Sequence, residues 1–247
     1  MKLYAEMIGD MHDSIVARER LEWSNFWYDS TNKNVEHRVL LIGDSTARMI
    51  RSRLSEKTGY AVDLFGISSG LHDVLFVKQI DAFFSSKDYK YEAVFIQIGH
   101  HSRIGDSGEP YSDYDYLRFK KDYIVLISFL QQYIDKVVLL SVFYSVIPFE
   151  KFKKSYIADH IATFIRRFLP EKYDDEINII KKKKNEIIEE ISNEMQLPFC
   201  DINKYMINLA DNPKTKCLHT DHVHFEEKAK DVIVKKYIEF LNIENTE

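Results

Sequence analysis

Ser45, Asp221 and His224 are the residue types of an acyl-transfer relay, and the local sequence around each suits that work. Ser45 lies in Val39-Leu40-Leu41-Ile42-Gly43-Asp44-Ser45-Thr46-Ala47-Arg48. Val39 to Ile42 read as a buried strand ending at Gly43, and from Thr46 onward Ala47, Met49, Ile50 and Leu54 recur at helical spacing. Ser45 therefore sits where a strand hands over to a helix, at the strand end where open α/β sheets bind ligands. A serine there exposes its hydroxyl and holds its N–H near a helix N-terminus, as a nucleophile and an oxyanion donor require. The plainer reading is that Asp44 or Ser45 only caps the helix.

A serine hydroxyl attacks poorly until a base takes its proton, and histidine is the side chain suited to that near neutral pH. The base needs an acceptor on its other ring nitrogen, which a carboxylate three residues earlier can supply. A developing oxyanion needs N–H donors, best given by a helix start and by glycine, which permits close approach. Four loops could bring these parts together, presenting Ser45, Gly66 or Gly70, His100 or His101, and Asp221 with His224.

Strands alternating with helices must position those loops. The expected strands are His37–Ile42, Tyr60–Phe65, Tyr91–Ile98, Val137–Phe143 and Leu197–Cys200. The expected helices run from Thr46 to about Thr58, Leu71 to about Phe84, Tyr114 to Ile134, through 150–196, and Phe225 to about Leu241. This rhythm predicts an α/β protein, a three-layer α/β/α sandwich on a five-stranded parallel sheet of flavodoxin-like order. Residues 1–247 read as one domain, with 1–34 a helical extension and 150–196 a helical insertion. Trp23 and Trp27 read as core or a subunit contact before a ligand groove, and Lys181–Lys184 as a solvated helix face.

A chain of 247 residues, 45% hydrophobic and 30% charged, has ample core for one large α/β domain. The net charge of −5 gives no global basic field for nucleic acid. Eight glycines and five prolines argue against a loop-built or disordered protein. The N-terminus has no apolar signal core, no run is long enough to span a bilayer, and Cys200 and Cys217 cannot form a disulfide framework. A soluble, cytoplasmic protein is expected.

The histidines invite two other readings. His219, Asp221, His222 and His224, with His100 and His101, are metal-ligand types, but they have neither an i, i+4 helical pair nor a cysteine framework. No metal or other cofactor is expected, and His219 and His222 read as loop or surface residues. Gly66-Ile67-Ser68-Ser69-Gly70 lacks the G-x-G-x-x-G spacing of dinucleotide sites.

Gly43-Asp44-Ser45, a glycine loop, the block led by Gly99, and Asp221-x-x-His224 before the last helix resemble the SGNH (GDSL) hydrolase superfamily. The resemblance spans residues 37–101 and 218–226. It implies Ser45 as nucleophile, His224 as base and Asp221 as its partner. It also implies an oxyanion hole from the Ser45 N–H, the second-block glycine and a third-block asparagine. Two departures matter. The second block has an extra residue, which leaves Gly66 or Gly70 as the oxyanion glycine, and Gly70 is preferred for its Ser-Gly pair. The third block reads Gly99-His100-His101-Ser102, so His101 occupies the asparagine position.

Gly43-Asp44-Ser45-Thr46-Ala47-Arg48 and Gly99-His100-His101-Ser102-Arg103 are similar to blocks of the PC-esterase branch, which includes polysaccharide O-acetyltransferases. A neutral His101 could donate through one ring nitrogen in place of the asparagine amide. Asp44, Arg48, His100 and Arg103 are candidates for substrate contact, although an Asp44–Arg48 salt bridge is the simpler role for that pair. The resemblance implies a serine ester hydrolase acting on O-acyl groups, above all O-acetyl groups of a carbohydrate. The expected partner is thus a small-molecule or glycan ester. A carbohydrate O-acetyltransferase would use the same residues, and a glycan-binding module without turnover could use the same scaffold.

Overall fold

Val39-Leu40-Leu41-Ile42 is apolar without alternation because both faces of its strand are covered, and all four residues are buried. The computed structural model describes residues 1–9, 24–32, 35–68, 70–86, 88–101, 110–147, 171–212 and 218–241. Its strands are β1 (Ser24–Trp27), β2 (Arg38–Gly43), β3 (Ala61–Ile67), β4 (Ala93–Gln97), β5 (Val137–Leu140) and β6 (Phe199–Cys200). They form one six-stranded sheet in the order β1-β3-β2-β4-β5-β6. The five strands from β2 to β6 are parallel and follow the flavodoxin-like order expected of them.

Seven helices are found among the described residues: α1 (Tyr4–Ile8), α2 (Ser45–Thr58), α3 (Val74–Ser86), α4 (Asp113–Leu130), α5 (Asp175–Met195), α6 (Ile202–Ala210) and α7 (Glu227–Ile238). Alternation along the strands sorts the core into two halves. Leu40, Ile42, Phe65, Val94, Ile96 and Leu139 meet α1, α3, α4 and α5 on one face. Val39, Leu41, Leu64, Phe95, Val138 and Leu140 meet α2, α6 and α7 on the other. The result is an α/β/α sandwich.

Three details differ from the sequence expectation. The N-terminal segment contributes one short helix and, in β1, an antiparallel edge strand on β3. Phe26 of β1 lies 5.1 Å from the Phe65 ring and 5.4 Å from that of Phe83, so aromatic packing sets a strand where helix was expected. Trp27 is partly buried against the core, in line with its structural reading, whereas Trp23 lies outside the described residues. Helix α6, absent from the sequence expectation, is capped by Asp201 and buries Ile202 and Met206.

The third difference concerns the stretch 150–196, described from residue 171 onward. Its helix α5 buries Ile187, Ile188 and Ile191 against the sheet and forms the crossover between β5 and β6. Lys182 and Lys183 are exposed, but Lys181 and Lys184 are buried. The run is therefore a solvated face for only half of its charges.

Candidate active site

Gly43 ends β2 where the chain must pass close under β4. A Cβ built there would meet Ala47 Cβ at 2.7 Å and the Gln97 carbonyl oxygen at 2.9 Å, so a side chain is excluded by contact. Asp44 follows as the N-cap of α2, and its carboxylate accepts from the Thr46 N–H at 2.8 Å and the Thr46 hydroxyl at 2.7 Å. The Asp44 side chain is thus engaged in capping, and Arg48 lies exposed one turn along the helix. Ser45 is the first residue of α2.

The loop before α7 brings His224 to this serine. The Ser45 hydroxyl lies 3.0 Å from His224 Nε2, and His224 Nδ1 lies 2.6 Å from Asp221 Oδ2. With Nδ1–H donating to the carboxylate, the Nε2 lone pair faces the hydroxyl; this tautomer is assigned from the hydrogen-bond network. Asp221 Oδ1 accepts from the N–H groups of Val223 at 2.7 Å and His224 at 2.8 Å. Burial alone would raise the Asp221 carboxyl, but the His224 imidazole and these two N–H groups outweigh it and hold it well below the usual carboxylate range.

The Asp221–His224 loop is itself fixed. The Thr220 N–H donates to the His224 carbonyl at 2.7 Å, and the Val146 N–H donates to that of His222 at 3.0 Å. Glu171 accepts from the N–H groups of Leu218 and His219, each at 2.7 Å, and its other oxygen meets His219 Nδ1 at 2.9 Å. His219 sits in this loop, as one of its two expected readings had it, but is buried there, while His222 is half exposed.

On the opposite face of the sheet a cleft of about 50 Å³ is lined by Asp44, Gly70, His101, His72, Asp122 and Lys184, among others. At about 10–15 Å³ for each water-sized group, it holds roughly the heavy atoms of a short acyl group. His72 Nδ1 lies 2.6 Å from Asp122 Oδ2, with Arg118 Nε 3.8 Å from the same carboxylate. Gly66 belongs to β3, whereas Gly70 reaches the cleft with His101. His100 does not line that cleft: it is buried, and Lys181 Nζ donates to its Nδ1 at 2.9 Å. Arg103 lies outside the described residues.

Sequence reasoning missed Glu171, Lys181, Lys184 and the His72–Asp122 pair. A signal existed for the lysines alone: 181, 184, 188 and 191 share one helical stripe, so two charges stand at positions in phase with buried isoleucines. Among the described residues no group of three or more His, Cys, Asp or Glu side chains is gathered as a metal ligand set. No described helix is long and apolar enough to cross a membrane.

No family model and no curated protein sequence matches the chain. Solved structures do. The acetyl xylan esterase AlAXEase superposes with a TM-score of 0.54 at 19% identity, covering 83% of this chain and 99% of its own. A GDSL-like lipase from Bacteroides thetaiotaomicron gives 0.52 at 18% identity, covering 83% and 87%. An acetylxylan esterase from Geobacillus stearothermophilus gives 0.53 at 13%, covering 85% and 96%.

The chain has the SGNH hydrolase fold. Within that SGNH fold, the loops after β2, β3 and β4 and the loop before α7 meet at one sheet edge. Ser45 contacts the Asp221–His224 pair there, and Gly70 and His101 line the cleft together with Asp44.

Proposed function

We propose that this protein is a serine-dependent ester hydrolase with Ser45 as nucleophile, His224 as general base and Asp221 as the group that orients the imidazole. The observation that carries the reading is the continuous relay of 3.0 Å from Ser45 Oγ to His224 Nε2 and 2.6 Å from His224 Nδ1 to Asp221 Oδ2. The hydroxyl attacks the ester carbonyl as Nε2 takes its proton, and Asp221 stabilises the imidazolium. The Ser45 and Gly70 N–H groups and His101 stabilise the oxyanion. His224 then returns its proton to the leaving alkoxide, and water resolves the acyl-enzyme.

The substrate we infer is an O-acetyl ester of a carbohydrate. The small cleft that Asp44, Gly70 and His101 line has room for a short acyl group. The acetylxylan esterases among the similar structures, and the PC-esterase-like blocks at Gly43 and Gly99, support the same class. Hydrolysis of a chromogenic acetate, abolished in Ser45→Ala and His224→Ala with circular dichroism unchanged, tests the catalytic reading. Glycan binding with no Ser45-dependent turnover would replace it with a binding module. Incubation with acetyl donors and candidate sugars, following free acetate and acetylated sugar together, separates hydrolysis from transfer, because both use the same three residues.

A further inference from the structure

We propose that Lys184 is a positioning residue for the oxyanion arm, tying the backbone that carries His101 to helix α5. The inference rests on the hydrolase reading above, in which His101 is an oxyanion donor.

Lys184 Nζ donates to the carbonyl oxygens of Gly99 and His101, each at 3.1 Å. The side chain is 1% exposed, and its ammonium lies 4.7 Å from the Tyr111 ring centre and 5.4 Å from that of Phe119. Gly99 adopts φ +134, a conformation that lets the chain turn sharply off the end of β4. That turn passes tightly over the helix: a Cβ on Gly99 would lie 3.1 Å from Val142 Cγ2 and 3.4 Å from Lys184 Cδ. Past the last ladder position of β4 no described strand pairs with these carbonyls, and the lysine ammonium takes two of them.

Helix geometry makes this a paired device. Lys181, one turn earlier on the same face, donates to His100 Nδ1 at 2.9 Å and to the Ser145 hydroxyl at 2.8 Å. One lysine therefore secures the His100 ring, and the other secures the backbone on both sides of it. An apolar side chain would fill the site under Phe119 without the desolvation cost of a charge, so filling space does not account for a lysine here. Holding a donor to within a few tenths of an ångström does, since oxyanion stabilisation depends on placement.

The test is a double-mutant cycle on chromogenic acetate hydrolysis, using the full chain. Turnover in the parent protein that disappears in Ser45→Ala establishes the hydrolase reading independently of Lys184; no Ser45-dependent turnover overturns that reading and this proposal with it. Lys184→Met is expected to lower kcat by about tenfold or more, with KM within about twofold. In a His101→Ala background the same substitution is expected to cost little further, because the residue acts through His101. An equal loss in both backgrounds, or an unchanged kcat, overturns the positioning role while leaving the hydrolase reading intact. Should Lys184→Met lose its native circular dichroism, Lys184→Gln, which keeps one donor, carries the same cycle to the same two outcomes.

Discussion

Glu171 meets His219 side chain to side chain at 2.9 Å, and the same carboxylate takes the N–H groups of both Leu218 and His219. One buried side chain thus pins the strand-like entry to the Asp221–His224 loop from 48 residues away.

That anchor predicts a linked loss of stability and activity. Burial would raise the Glu171 carboxyl, but its bonds to His219 and to the N–H groups of His219 and Leu218 hold it below the usual glutamate value. A depressed carboxyl contributes stability that is present above its unfolded value and lost as pH falls through its folded one. Glu171→Gln keeps one acceptor and loses the charge, at a cost of about 1–3 kcal/mol. Thermal unfolding at neutral pH should show a melting temperature several degrees below the parent, with a lower kcat. The gap should close as pH drops below the glutamate range, and a gap that persists there would remove the carboxylate from the explanation.

Asp221 gives a second prediction, this time for the pH profile. Its carboxyl is held well below the ordinary range by His224 and two N–H groups, against the opposing effect of burial. On the proposed mechanism the Asp221 carboxylate stays ionised through the whole usable range, so kcat/KM should show no inflection near the ordinary aspartate value of about 4. Asp221→Asn keeps an acceptor for the N–H groups of Val223 and His224 but presents an amide to His224 Nδ1, which favours the wrong tautomer. A fall in kcat on the order of 10⁴ is expected. A loss of less than about tenfold would show that the tautomer is set by something else.

Lys184 links site and stability with the opposite sign. Burial pushes its ammonium from 10.5 down to about 7, with Asp115 acting the other way. Between those values the unfolded chain binds more protons than the folded one, so stability rises with pH across that window. The penalty of burying the charge is complete below the lower value. The melting temperature of Lys184→Met relative to the parent should therefore be most favourable on the acid side of neutrality, and should fall steadily up to about pH 10. A difference that stays flat across that range would mean the amine does not titrate there.

What could be read in the chain beforehand follows from how local each feature is. Gly43-Asp44-Ser45 announces itself because a strand, a turn and a helix start are contiguous, and Asp221 lies three residues from the ring it orients. Strand β1 was hidden because its pairing with β3 is fixed by Phe26 against Phe65, a contact no window of sequence contains. The Glu171–His219 bond was hidden for the same reason. Lys184 is a different case: counting four lysines suggested solvent, whereas their phase against Ile188 and Ile191 places two of them inside. Charge alone misled, and periodicity would have corrected it.

Gly43 offers the sharpest steric prediction. A methyl group added there would press on Ala47 Cβ at 2.7 Å and on the Gln97 carbonyl oxygen at 2.9 Å. Both distances are too short to hold, and the second partner is backbone, which cannot rotate aside. Gly43→Ala must therefore separate β2 from β4 just ahead of Ser45, at about 1–3 kcal/mol for overpacking. Thermal unfolding should register this as a drop of several degrees, and kcat should fall because Ser45, two residues on, moves relative to His224. Adding Ala47→Gly removes the first clash but leaves the second, and itself costs about 1 kcal/mol of helix propensity. The double variant should thus recover little of either loss. A Gly43→Ala protein with the parent's melting temperature and kcat would show that the end of β2 is not tightly packed against β4 and α2.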